Sequence, residues 1–163
     1  MASLNLDHYT CAGYALELLA QSEYHKQYAM GQYLRAEILP ALWHKQARFY
    51  VSEEGMPTAL VTWAWLSEEV EQDLHTTGRA LTDEEWHCGD RLFFNDWITP
   101  YGNIREAMRD MTHNIFPNNT ATSIRRKQDG SVNKINRWTG INLRNKPKNG
   151  NKHSNDSLAG VQR

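Results

Sequence analysis

Gly89-Asp90-Arg91-Leu92-Phe93-Phe94-Asn95-Asp96-Trp97-Ile98-Thr99-Pro100-Tyr101-Gly102 sets one carboxylate, Asp96, among aromatic and aliphatic residues in a run that reads as a buried strand. Pro100 and Gly102 end that strand, because proline lacks the ladder N–H and glycine permits turn geometry. A carboxylate placed there must be paired, hydrogen-bonded or neutralised, since burying it bare is costly. Locally Asp96 has two ordinary uses, capping the following helix or pairing with Arg91. A distant upstream element, Ser22-Glu23-Tyr24-His25, offers a third.

Working outward, residues 10–20 suit a first helix, with Thr10 as N-cap and the i,i+4 pairs Tyr14/Leu18 and Ala15/Leu19 on one apolar face. A second helix is expected over 26–38, with Tyr33, Leu34 and Ile38 on one face, limited by Pro40, with a further turn over 41–46. The period then changes. Residues 48–51 and 58–65 read as strands of a hairpin around Glu53–Pro57. Ser67 opens an acidic helix to Leu74, and Thr82-x-x-Glu85 is a capping box. Ile104, Met108, Met111 and Ile115 mark a helix over 103–115, and 121–127 and 131–138 flank Asp129-Gly130 as a second hairpin. Its core contributors are Ile124, Val132 and Ile135. This order makes an α/β (α+β) sheet covered by helices, over residues 1–142. Residues 143–163, rich in Asn, Lys, Gly and Ser, read as a basic, disordered tail.

Six Trp, seven Tyr and four Phe in 163 residues are ample for one core. No apolar run approaches the roughly 20 residues of a membrane span, and Met1–Asp7 lacks a signal-peptide pattern, so a cytoplasmic protein is expected. Cys11 and Cys88 are read as reduced, buried thiols. The formal charge of −1 hides an asymmetry: residues 121–163 hold ten Lys or Arg against two Asp, and the remainder is acidic. That basic third suits a solubilising surface, a nucleic-acid patch or a dock for an acidic protein. No zinc pattern, nucleophile elbow, phosphate loop or dinucleotide fingerprint occurs, so no catalytic metal or bound cofactor is expected.

The Gly89–Gly102 block, together with Ser22-x-x-His25, Ile38-Leu39-Pro40-Ala41 and Thr62-Trp63-Ala64-x-Leu66-Ser67, resembles the toxin-activating lysine acyltransferases that fatty-acylate RTX pore-forming toxins. The resemblance runs from about Gly13 to about Asn142. It implies a GNAT-like acyltransferase fold with a central, mostly antiparallel sheet. It also implies a cytoplasmic enzyme that takes its acyl group from acyl carrier protein, with His25 and Asp96 as the essential pair. The chain lacks the glycine-rich loop of GNAT enzymes that use acetyl-coenzyme A, which fits a carrier-held donor. The acceptor would be internal lysines of a protoxin. Nucleic acid and a membrane span are not among the implied partners, and the oligomeric state, a homodimer included, is left open.

Such a reaction needs a base. Free lysine has a pKa of about 10.4, so at pH 7 withdrawing its proton costs about 4.6 kcal/mol. A histidine near neutrality removes the proton as the amine attacks, and a carboxylate on the other ring nitrogen fixes its tautomer. His25 is therefore the candidate general base or transient acyl acceptor, with Asp96 orienting it. Ser22 either donates to the thioester carbonyl or caps the second helix. Trp63, Trp65, Phe93, Phe94 and Trp97 are either core or the wall of an acyl groove. The resemblance puts a basic strand position at Arg125 and Arg126, which either meet the carrier's phosphopantetheine or sit in water. Glu37 departs from the asparagine common in the family and would add a second carboxylate beside His25. His8, His44, His75, His87, His113 and His153 are read as structural or exposed. Two rivals remain: an acyltransferase acting on a bacteriocin-like peptide or small amine, and a non-catalytic module that binds through the basic C-terminal third.

Overall fold

A computed structural model describes residues 6–144, so the N-terminal five residues and the tail from 145, where most of the expected disordered segment falls, lie outside it. Helix α1 (His8–Gln21) buries Ala15, Leu18 and Leu19. Its cap is Asp7, whose carboxylate accepts from the Tyr9 and Thr10 N–H groups at 3.0 and 2.9 Å; Thr10, expected as the cap, lies inside the helix. A 3-10 turn at His25–Gln27 precedes α2 (Met30–Tyr33), a π turn (Leu34–Ile38) and α3 (Leu39–Trp43). Pro40 therefore does not stop the helix. In the π turn the Leu39 N–H reaches back to Leu34 O, and Pro40 then sits in the first turn of α3, where a missing N–H costs nothing.

Strands β1 (Ala47–Val51), β2 (Pro57–Leu66), β3 (Arg91–Ile98), β4 (Thr120–Arg126) and β5 (Val132–Thr139) form one sheet in chain order. All neighbours are antiparallel except β3 and β4, which run parallel and pair only at Leu92/Ala121 and Phe93/Thr122. Beyond that short seam no β3–β4 pairing continues. Between β2 and β3 stands α4 (Glu68–Thr77), capped by Ser67 and closed by Gly78 in the left-handed region (φ 67°). The Thr82–Glu85 capping box then forms, with the Glu85 carboxylate taking the Thr82 N–H at 3.0 Å. Gly89 is dictated by contact: a Cβ there would lie 2.3 Å from Leu66 O. Between β3 and β4 comes α5 (Ile104–Asp110), prolonged by a π turn (Met111–Ile115). Ala107 and Met111 carry its buried face, whereas Ile104, expected there, is exposed.

Helices cover both faces. On one, α1 to α4 pack on Leu60, Ala64, Leu66, Phe93 and Ile98. On the other, α5 packs on Val61, Leu92, Phe94 and Ala121, with Trp63, Trp65, Trp97, Phe116 and Trp138 filling the gaps. This mixed α/β, mostly antiparallel architecture is that of a GNAT-like acyltransferase. A short α6 (Ile141–Arg144) follows β5, so the boundary expected at Asn142 falls inside a helical turn. The cysteines are not buried as expected: Cys11 is half-buried and Cys88 exposed, its sulfur accepting the Ser67 N–H.

Candidate active site

The register of β2 and β3 slips between Thr62 and Trp63, leaving Asn95 as an extra residue. Strand side chains alternate between faces, so one inserted residue reverses the alternation beyond it. Phe94 and Trp97 both lie on the α5 face, and Asp96 is thereby turned to the face that carries α1 and α2. There it neither caps a helix nor meets Arg91, which pairs with Glu68 and Glu71.

Asp96 meets His25. Ser22 ends α1, and its carbonyl accepts the His25 and Lys26 N–H groups, a turn that folds the imidazole back toward β3. His25 Nε2 lies 2.8 Å from Asp96 Oδ1, and His25 Nδ1 lies 2.6 Å from Ser22 Oγ. The Tyr33 hydroxyl donates to Asp96 Oδ2. Ser22, His25 and Asp96 are each at most 7% exposed, so these bonds are shielded from water. With the carboxylate accepting from Nε2–H, Nδ1 carries the lone pair and accepts the Ser22 O–H. Burial, reinforced by the Asp96 charge, drives the Tyr33 phenol far above its ordinary range, so it remains a donor. Ser22 is thus the partner of His25, and no side-chain cap forms on the turn that follows.

Aromatic rings frame the pair. Tyr24, 45% exposed, stands edge-on to His25 at 5.0 Å, and its hydroxyl is 3.0 Å from that of Tyr28. Tyr28 and Tyr33 stack at 4.9 Å, and Tyr33 packs edge-on to His25 at 5.4 Å. Behind them a cavity of about 250 Å³ is lined by Tyr28, Gln32, Tyr33, Glu37, Gly78 and Arg126, among others. Arg126 is oriented by Nε to Gly78 O at 2.6 Å and Nη2 to Arg79 O at 3.3 Å. Arg125 is one residue along the strand and exposed, so the expected pair divides, with Arg126 alone at the cavity. Glu37 is buried, accepts the Asn95 amide at 2.7 Å, and has its carboxyl pushed up by burial. The aromatic stripe considered as a groove wall is core instead, with Phe93 under α4 and the others under α5.

Sequence reasoning missed Tyr33, Tyr28 and Asn95. Tyr33 reads in sequence as an apolar face residue, and only the position of its hydroxyl reveals its use. Among the described residues no three His, Cys, Asp or Glu side chains gather as a metal site, and no helix is long and apolar enough to cross a membrane.

Residues 4–139 match the RTX toxin acyltransferase family. The chain is 32% identical to the lysine-acyltransferase RtxC of Vibrio cholerae over 100 residues, 61% of this chain and 65% of that protein. It is 30% identical to the RTX-III toxin-activating lysine-acyltransferase ApxIIC of Actinobacillus pleuropneumoniae over 139 residues, 79% of each chain. It is 28% identical to the protein-lysine myristoyltransferase RtxC of Kingella kingae over 138 residues, 85% of this chain and 81% of that one.

Proposed function

The chain belongs to the RTX toxin acyltransferase family and is an acyltransferase, and from that premise we propose that it moves a fatty acyl group from acyl carrier protein to internal lysines of a protoxin. The observation that carries the chemistry is the shielded Ser22–His25–Asp96 chain, 2.6 and 2.8 Å between partners. Asp96 holds the Nε2–H tautomer, which leaves Nδ1 as the base. Ser22 Oγ covers Nδ1, so the proton of the attacking amine passes to Ser22 Oγ while the Ser22 proton moves to Nδ1. The same cover favours proton relay over an acyl-imidazole, because an acyl carbon would have to displace Ser22 to reach Nδ1. The C–N bond forms as the C–S bond breaks, and the imidazolium returns its proton to the departing thiolate.

The donor reading rests on charge. Arg125, Lys127, Lys134 and Arg137 are exposed on the β4–β5 hairpin, and Arg126 of the same hairpin lines the cavity. An acidic carrier protein fits that hairpin, with its phosphopantetheine arm directed to Arg126. A cytoplasmic location follows from such a donor.

Purified protein, acyl carrier protein charged with a fatty acid, and a protein bearing candidate lysines test this directly by intact mass. One acyl increment per modified lysine, lost with His25→Ala, is expected. Transfer that proceeds equally well from acyl-coenzyme A, unaffected by salt, would remove the carrier protein from the reading. Transfer to a small amine in preference to protein lysine would move the acceptor.

A further inference from the structure

The cavity has two unlike poles. Arg126 contributes a guanidinium and Glu37 a carboxyl, and the two form no ion pair with each other. Of the three buried carboxyl groups among the described residues, Asp96 faces His25 and Glu71 faces Arg91. Glu37 has only the Asn95 amide, on Oε2, and its other oxygen has no hydrogen-bond partner among the described residues. The Glu37 carboxyl is 7% exposed and has no ion-pair contact, and the Arg126 charge offsets its burial only from a distance. Its unbonded oxygen is not among the buried unpartnered atoms and so opens to the cavity, where an incoming donor can reach it. Beside it the stacked Tyr28 and Tyr33 rings offer a flat apolar wall.

We propose that Glu37 is the docking group for the acceptor, receiving the ammonium of a primary alkylamine, the end of a lysine side chain, whose methylene stem lies along Tyr28 and Tyr33. This rests on the amine-acylating reading above and adds to it the residue that selects a cationic acceptor. A four-carbon stem with a terminal cation matches an aromatic wall that ends in a carboxylate, because rings attract both methylenes and cations. The opposite pole then serves the other reactant, with Arg126 facing the anionic donor arm. Docking also begins the chemistry. The ammonium gives one proton to the Glu37 carboxylate, leaving a neutral amine and a carboxylic acid. Burial, which disfavours the charged carboxylate, makes it a better acceptor for that proton. The amine's second proton follows the Ser22–His25 route to the thiolate, and Glu37 releases its own proton to solvent after the amide departs.

The probes are n-butylammonium and, as a neutral match of the same shape, n-butanol, titrated into the full chain and followed by shifts of the Gly78 and Tyr28 amide signals. Wild type should bind n-butylammonium about tenfold or more tighter than n-butanol, since a hydrogen bond to a charged group is at stake. Glu37→Gln should abolish that preference, and His25→Ala should keep it. In turnover, Glu37→Gln should raise KM for a lysine peptide about tenfold and leave KM for the donor unmoved. Equal binding of the two probes by wild type, or an undiminished preference in Glu37→Gln, overturns the proposal. The wild-type comparison stands even where the variant does not fold. Ammonium binding through Glu37 without acyl transfer would sink the reaction and spare the site. Transfer without ammonium preference would do the reverse.

Discussion

The β3–β4 seam has a cluster of carboxyl, hydroxyl and imidazole toward each end. Past the paired residues, Ser22, His25 and Asp96 run hydroxyl to imidazole to carboxylate. At the paired residue Thr122, the order is imidazole to hydroxyl to carboxylate: His75 Nε2 is 3.0 Å from Thr122 Oγ1, which donates to Glu71 Oε2 at 3.0 Å. Thr122 has a single proton and gives it to Glu71, so it receives one from His75, and Arg91 takes the other Glu71 oxygen. The threonine proton is committed and the histidine is at the periphery, with desolvation lowering its pKa. In the first cluster the imidazole is central and can accept at one nitrogen while the carboxylate holds the other. On the proposed mechanism, the same three functional groups make a proton relay in one order and a structural brace in the other.

The largest effect expected is on the relay. His25→Ala should lower acyl transfer by about 1,000-fold or more, whereas His75→Ala should leave the rate within about twofold and cost about 1 kcal/mol of stability from Thr122's lost donor. Rates by intact mass and melting curves for both variants check this, and comparable rate losses would erase the distinction. Next come the carboxylates. Asp96→Asn keeps the volume but permits the wrong tautomer, so transfer should fall by about 100-fold or more at nearly unchanged melting temperature. Glu71→Gln should do the opposite, losing about 1 kcal/mol as Arg91, part-exposed, keeps only the Glu68 carboxylate, with little change in rate. Ser22→Ala should fall between, reducing transfer roughly tenfold because water substitutes poorly for the relay hydroxyl. Complete loss with Ser22→Ala, and an acylated Ser22 by peptide mass, would instead make Ser22 the nucleophile.

Both histidines and both carboxylates were visible in the sequence; the orders in which they join were not. The strands, the two hairpins and the capping box follow from local period and turn chemistry, and they form within a residue or two of expectation. Asp96 was recognisable as odd because a carboxylate interrupts Phe93-Phe94 and Trp97-Ile98. Its direction was not, because the bulge at Asn95 exists only against the register of β2, and without it Asp96 would share a face with Phe94. Reading onward past Pro40 fails for a similar reason: the π turn that carries the helix through is stabilised by packing of Ile38 and Leu34 on α1, which no local signal reports. Arg125 and Arg126 read as a doublet in sequence, and strand alternation separates them.

The smallest expected effect is a pH dependence of stability at Glu37. Glu71 has a guanidinium beside it and Glu37 has none within contact. Burial raises the Glu37 carboxyl above its ordinary value near 4.5, although Asn95 and the Arg126 charge pull the other way. A raised folded-state pKa means that the folded protein holds its proton after the unfolded chain has released it. Wild-type stability from this group is therefore fully present below about pH 4.5 and is lost as pH rises toward the folded-state pKa, at up to about 1.4 kcal/mol per unit. A glutamine amide does not ionise in this range. Glu37→Gln should thus match or trail wild type near pH 4 and gain on it through pH 6 and 7, by urea denaturation at each pH. A difference that stays flat across that range, or grows in favour of wild type, would mean that Glu37 is held as a well-compensated carboxylate in the free protein. The cavity would then already contain the positive partner that the acceptor lysine is proposed to bring.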